Sequence, residues 1–298
     1  MGQPHHFYYM AHLLIWIFER LAKLPMNKLY RIADIMFYVL THATILPIHR
    51  KVRKRLKEFF PEYDAAKLSE IERLHLKCLC DNVVEVMALY RFSEEELRDA
   101  VVYKNIEVLD KIFGRNRFVV CFSGHFAGFE FLAGYPILRN EYGMFSYYNM
   151  SIKNKTIDSW VRKRRERFGV VCIPIQYPMR HIIKCKHKMD AGKSEKLGYV
   201  LGSLADFQPC KGAATGVVTF FNKDEDVLVG TERMGNILEA EFVYANITRP
   251  QRGKYEVEFI PLDTSYIEHS FPYTQAFFSE LEKNIRQQPE IWMMWGVK

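Results

Sequence analysis

The sequence predicts an α/β fold, a mostly parallel central sheet flanked by helices, preceded by an N-terminal helical segment on a membrane. Three observations predict it. Short β-branched and aromatic runs alternate with helical patterns from residue 100 onward. The first 48 residues carry two apolar stretches, one short and followed at once by charge, the other interrupted by it. A polybasic run, HRKVRKRLK at 49–57, separates the two regions. These mark a membrane-associated segment over 1–60 and an α/β domain over 61–298.

Composition supports a packed chain. Of 298 residues, 49% are hydrophobic and 26% charged, which excludes global disorder. The net charge of +7 favours anionic partners. No nucleic-acid module accompanies that charge, so nucleic acid is set aside. Six scattered cysteines without a secretory signal read as reduced thiols of a cytosolic compartment. Met1-Gly2-Gln3-Pro4-His5-His6 lacks the Ser or Thr a myristoylation signal requires at position 6.

The elements follow in order. FYYMAHLLIWIF (7–18) is apolar but too short to span a bilayer, and LYRIADIMFYVLTHATILPI (29–48) contains Arg31 and Asp34. Both read as helices lying in the interface, and the basic run beside them attracts an anionic leaflet. Residues 64–90 form a long amphipathic helix with Asp64 as N-cap, and Ser93 with Glu96 makes a capping box. Strands are expected at 117–123, 144–149, 170–174, 197–204, 216–221, 241–248 and 254–262. Helices are expected at 126–138, 155–169 with Gly169 closing it, 179–193 and 273–287.

The chemistry concentrates in RFVVCFSGHFAGFEFLAG (117–134), where Gly124-His125 and Glu130 interrupt an apolar run. The strand ends near Ser123, Gly124 turns the chain, and His125 sits at the start of a helix. In open α/β sheets ligands bind outside such carboxyl ends. Five α-helical steps rotate about 140°, so His125 meets Glu130 only by lying before the helix and folding back. A histidine with a carboxylate partner is a base with its orienter. There is no G-x-S-x-G elbow, and Cys121 lies on the strand, so His125 is expected to activate a substrate hydroxyl rather than an enzyme nucleophile. Backbone N–H groups of the 124–127 turn, or a basic side chain, would receive the oxyanion.

Other charged positions have bland readings beside functional ones. RKRRER (162–167), with Lys153 and Lys155, is either a solvated face or a docking patch for an acidic protein or lipid phosphates. Asp206 and Gln208 lie at a strand end, in a turn or facing substrate. Glu232 opens a helix, and Arg249 and Arg252 flank a hairpin turn as surface charge. His181 and Cys185 have ligand-like i, i+4 spacing, but no second ligand pair follows, so no metal is expected.

SGHFAGFE resembles the H-x4-D/E block of glycerolipid-type acyltransferases. More specifically, the chain resembles the late, lauroyl- or myristoyl-type, acyltransferases of lipid A biosynthesis. RKVRKRLKEFFPEY, LCDNVVEVMALY, NIEVLDKIF, KNKTIDSW, LGYVLGSLADFQP, VGTERMGNILEAEFVYANITRPQRGKYEVEF and PEIWMMWGVK follow that family's order over nearly the whole chain. The resemblance implies transfer of a fatty acyl chain from acyl carrier protein to a hydroxyl of a lipid A precursor, at the cytoplasmic face of the inner membrane. It implies His125 as general base and Glu130 as its partner, with Gly124, Lys153, Asn154, Asp206, Gln208, Glu232 and Arg249 on the substrate side. No metal or organic cofactor is implied, because the thioester is already activated. The chain departs from the family at Asn149-Met150, where Arg-Pro is usual, and at Gly128-Phe129, where Asn-Trp is usual. It also stops at Lys298, where relatives continue, which suggests a truncated or divergent end. A different lipid acceptor, such as a lysophospholipid or aminolipid, and an inactive lipid-binding relative both stay open.

Overall fold

The computed structural model describes residues 5–42, 47–115, 117–148, 154–174, 177–209, 213 and 215–297. Three helices come first: α1 (His5–Ala22), α2 (Met26–His42) and α3 (Pro47–Phe59). The long α4 (Ala65–Leu89) and short α5 (Glu94–Ala100) follow. Both begin where capping chemistry dictates. Asp64 accepts the Lys67 N–H at 2.7 Å, and Ser93 and Glu96 close a reciprocal box.

The layered region contains β1 (Val101–Lys104), α6 (Ile106–Phe113), β2 (Phe118–Ser123), α7 (Tyr135–Leu138), β3 (Tyr142–Tyr148), α8 (Lys155–Glu166), β4 (Val170–Pro174), α9 (Pro178–Asp190) and β5 (Gly198–Leu204). It closes with β6 (Thr215–Phe220), β7 (Lys223–Leu228), α10 (Gly230–Ile237), β8 (Glu241–Gln251), β9 (Lys254–Pro261) and α11 (Pro272–Gln287). Seven strands form one sheet in the order β1-β9-β8-β2-β5-β3-β4. All its pairings are parallel except the β8–β9 hairpin. The central strand β2 is buried at every position, as expected of a parallel strand covered on both faces.

Two expectations change. The run GVVTFF, expected in the central sheet, forms a separate antiparallel hairpin with β7. Its two-residue turn puts Phe221 (φ 50°) and Asn222 (φ 58°) in the left-handed region, the tight hairpin geometry in which twist matches the flanking strands. The expected helix at 126–138 is instead a 3₁₀ segment, Phe129–Gly134, followed by the single turn α7. Pro136 has no N–H and its ring opposes the carbonyl four residues back, so an α-helical ladder cannot run through 132–136.

The N-terminal helices share the core of the sheet. Leu29, Ala33, Val52, Leu56 and Phe60 are wholly buried in the same hydrophobic cluster as Val119, Val120 and Leu201. The outer faces differ. Leu13, Trp16 and Ile17 on α1, and Ile35, Tyr38 and Val39 on α2, are large apolar side chains left at the surface. Among the described residues no helix is long and apolar enough to cross a membrane.

Candidate active site

β2 and β5 run parallel with Ser123 opposite Leu204. Two residues past each strand end stand His125 and Asp206, so neighbouring strands deliver them side by side at the carboxyl edge of the sheet. The His125 N–H donates to Asp206 Oδ2 at 2.7 Å, and the ring Nδ1 bonds Asp206 Oδ1. Trp292 Nε1 donates to the same Oδ2 at 2.9 Å. The Asp206 side chain is 1% exposed and the His125 ring 13%. A buried carboxylate with these donors accepts the proton of Nδ1 and leaves the Nε2 lone pair without a partner among the described residues. Phe207 sets its ring against the imidazole, 4.2 Å between centroids, and Phe129 lies at 5.4 Å.

This corrects the expected pairing. The carboxylate on His125 is Asp206 and not Glu130. Gly128 (φ 82°) turns the chain before the 3₁₀ segment begins, and Glu130 faces α8, where Arg165 grips it with Nε at 3.0 Å from Oε2 and Nη2 on Oε1. Burial works against the Arg165 charge, but Glu130 more than offsets it, so the guanidinium pKa is raised.

Most backbone donors of the turn are spent as well. Besides His125 N–H, that of Phe126 bonds Gly124 O at 2.9 Å, that of Ala127 bonds Ile291 O at 2.7 Å, and that of Gly128 bonds Asn82 Oδ1 at 3.1 Å. Three of the four N–H groups of the 124–127 turn are therefore committed within the fold. The N–H groups of Ala127 and Gly128 hold the loop to the C-terminal segment and α4. Met293 N–H returns a bond to His125 O at 2.7 Å, and Phe126 bridges Trp292.

Gly124 belongs to the site by its size. A Cβ there would lie 2.6 Å from Leu281 Cδ1 and 3.2 Å from Asp206 Oδ2. Cys121 is buried on β2, and burial pushes its thiol up to about 12, which removes it as a nucleophile.

Several expected substrate contacts have structural partners. Asn154 is the N-cap of α8, accepting the N–H groups of Thr156 at 3.0 Å and Ile157 at 3.3 Å. Glu232 is buried and caps α11, which has no side-chain cap of its own. It accepts Thr274 N–H at 2.7 Å, Thr274 Oγ1 at 2.5 Å and Tyr273 N–H at 3.3 Å. Arg249 is no surface charge: it reaches Asp81 at 3.0 Å and Glu85 at 2.8 Å on α4, and Arg252 joins Asp34 on α2 at 2.7 Å. These contacts fasten α4 and α2 to the β8–β9 hairpin. Gln208 is exposed just beyond Asp206. Lys153, with Asn149 and Met150, lies outside the described residues.

The run RKRRER also turns inward. Arg164 pairs with Glu19, Arg165 with Glu130, and Arg167 bonds the carbonyls of Tyr90 and Phe92. Sequence reasoning missed Trp292, Phe207 and Asn82 around the His125 loop, and Arg165 as the partner of Glu130. The available signals were Asp206 at the same offset past its strand as His125, and the Trp-rich end near residue 292.

Comparison with curated proteins finds no match. The family model for bacterial lipid A biosynthesis acyltransferases matches residues 3–296. That match spans almost all of the chain, including the His125 loop, the Asp206 strand end and the C-terminal segment that joins them, and so the chain belongs to the bacterial lipid A biosynthesis acyltransferase family.

Proposed function

We propose that the protein transfers a fatty acyl chain from an acyl-carrier-protein thioester to a hydroxyl of a lipid A precursor. The observation that carries the mechanism is the buried Asp206 carboxylate on Nδ1 of a largely buried His125. His125 Nε2 takes the hydroxyl proton as the oxygen attacks the thioester carbonyl. The tetrahedral intermediate collapses with cleavage of the C–S bond, and the imidazolium returns the proton to the departing thiolate. Asp206 holds the ring in the productive tautomer and favours the imidazolium. With the N–H groups of His125, Phe126 and Ala127 committed, a cationic side chain is the stronger candidate to receive the oxyanion. We assign Arg165, which Glu130 fixes beside the 3₁₀ segment.

The reaction would take place at the cytoplasmic face of the inner membrane. The exposed apolar residues of α1 and α2 support this, since interfacial helices bury such a face at the headgroup boundary. Acyl transfer by the purified protein in detergent tests the function. The assay uses acyl-carrier-protein thioesters and a tetra- or penta-acylated lipid A precursor, with His125→Ala beside wild type. The expected result is transfer by wild type and a loss of about 10²–10⁴-fold in the variant. Equal transfer by both would move the base elsewhere. Transfer only to a lysophospholipid or aminolipid would change the acceptor.

A further inference from the structure

The outer face of α3 is the strongest unpaired charge near the site. Val52 and Leu56 point inward and are wholly buried, which turns Arg50, Lys51, Lys54 and Lys57 outward on the opposite side. Lys54 has a loose partner in Glu58 at 3.8 Å. Arg50, Lys51 and Lys57 have no hydrogen-bond or ion-pair partner among the described residues. In the RKRRER run, by contrast, three of the four arginines are held by inward contacts, and the fourth, Arg162, lies 3.7 Å from Glu166.

α3 also forms a wall next to the active site. Arg55 bonds the Val297 carbonyl, and the Phe59 ring lies 5.3 Å from Trp295 and 5.9 Å from Trp292. Trp292 bonds Asp206, and Met293 N–H bonds His125 O. A partner seated on the outer face of α3 is therefore joined to the catalytic pair through the helix and the Trp292–Trp295 layer behind it.

The chemistry of the face selects the partner. Helices that enter a lipid interface present large apolar side chains, as α1 and α2 do. Among the described residues, none of the exposed large apolar side chains lies on α3. A rigid row of cations without an apolar edge suits a folded acidic surface, where charge complementarity steers the encounter and sets its register. We propose that the outer face of α3, through Arg50, Lys51 and Lys57, docks the acidic carrier protein that delivers the acyl thioester. This rests on the acyl transfer proposed above.

The test is the triple reversal Arg50→Glu/Lys51→Glu/Lys57→Glu in the full chain, with the neutral triple glutamine variant beside it. Circular dichroism and thermal melting check that each folds. Dissociation constants for acyl carrier protein are measured by fluorescence anisotropy at low and high salt. Transfer is measured with carrier-bound and with pantetheine thioesters, and binding to phosphatidylglycerol vesicles is measured in parallel. The expected result is a rise of about tenfold or more in Kd and KM for the carrier on reversal, a smaller rise for the glutamine variant, and a flattened salt dependence. Transfer from pantetheine thioester stays within about twofold, because the catalytic groups are untouched. An unchanged carrier Kd in the reversed variant overturns the assignment. Loss of vesicle binding with carrier Kd unchanged overturns it in favour of the anionic leaflet. Wild type that binds carrier through these residues but transfers nothing would refute the proposed reaction and uphold the docking face.

Discussion

Asp206 accepts two hydrogen bonds from His125, one from its backbone N–H at 2.7 Å and one from ring Nδ1. The double attachment fixes both the position and the rotation of the imidazole. Asp206→Asn keeps the shape but presents an amide that can favour the wrong tautomer. The expected result is a fall in kcat of roughly 10³–10⁴-fold with the thermal midpoint little changed, by analogy with such substitutions in other His–Asp pairs. Steady-state kinetics beside a melting curve checks it. A full-rate Asp206→Asn enzyme would remove Asp206 from the mechanism.

Gly124 is where packing and catalysis meet. An alanine Cβ would press on Leu281 at 2.6 Å and on the Asp206 carboxylate at 3.2 Å. Leu281 can yield at its side-chain end; Asp206 yields by moving away from His125. Overpacking of this kind costs about 1–3 kcal/mol. A displacement of the base of about 1 Å costs up to about 10²-fold in rate. Gly124→Ala is therefore expected to lose more activity than stability, as measured by kcat and urea denaturation on one preparation.

The half of the site on β2 was legible because a buried strand run followed by Gly-His has few other uses. Its partner was not, because the adjacency of β2 and β5 depends on strand order, and about 80 residues separate His125 from Asp206 in the chain. H-x4-E spacing invites a local pairing that the 3₁₀ geometry does not make. Arg165 was hidden for a different reason: a run of like charges reads as a solvated face, and only tertiary packing shows which members turn inward. β7 escaped because Lys223, Asp224, Glu225 and Asp226 lack the apolar alternation of a half-buried strand. Asn154, just before a helical pattern, could have been read as an N-cap from residue type alone.

Glu130 and Arg165 form a pair whose members are costly apart. The Glu130 side chain is 8% exposed and that of Arg165 25%. Glu130→Gln leaves the guanidinium without its counter-charge and is expected to destabilise the protein by about 3–5 kcal/mol. The double variant Glu130→Met/Arg165→Met removes both charges and is expected to recover much of that stability but no activity. A double-mutant cycle by chemical denaturation, with transfer assayed on each variant, checks both halves. Independent, additive effects on stability would contradict the pairing.

Two histidines tie stability to pH with opposite signs. His75 is buried on α4 and donates from Nδ1 to Glu290 O at 3.0 Å, next to the Ile291 carbonyl that holds Ala127. Burial pushes its pKa down to about 4 from 6.5. The folded state therefore keeps His75 neutral where the unfolded chain takes up a proton. Its contribution is complete above pH 6.5 and is lost as pH falls toward 4, by about 3 kcal/mol in all. His49 is shifted upward by its bond to Leu40 O and then by Glu72, so its contribution is complete below 6.5 and is lost as pH rises through the folded value. His75→Asn retains a side-chain donor and removes the titration. Urea unfolding of both proteins between pH 4 and 7.5 should show wild type losing stability relative to the variant as pH falls below 6.5. A constant difference across that range would mean that His75 takes up its proton alike in the folded and unfolded chains, and would contradict the burial shift.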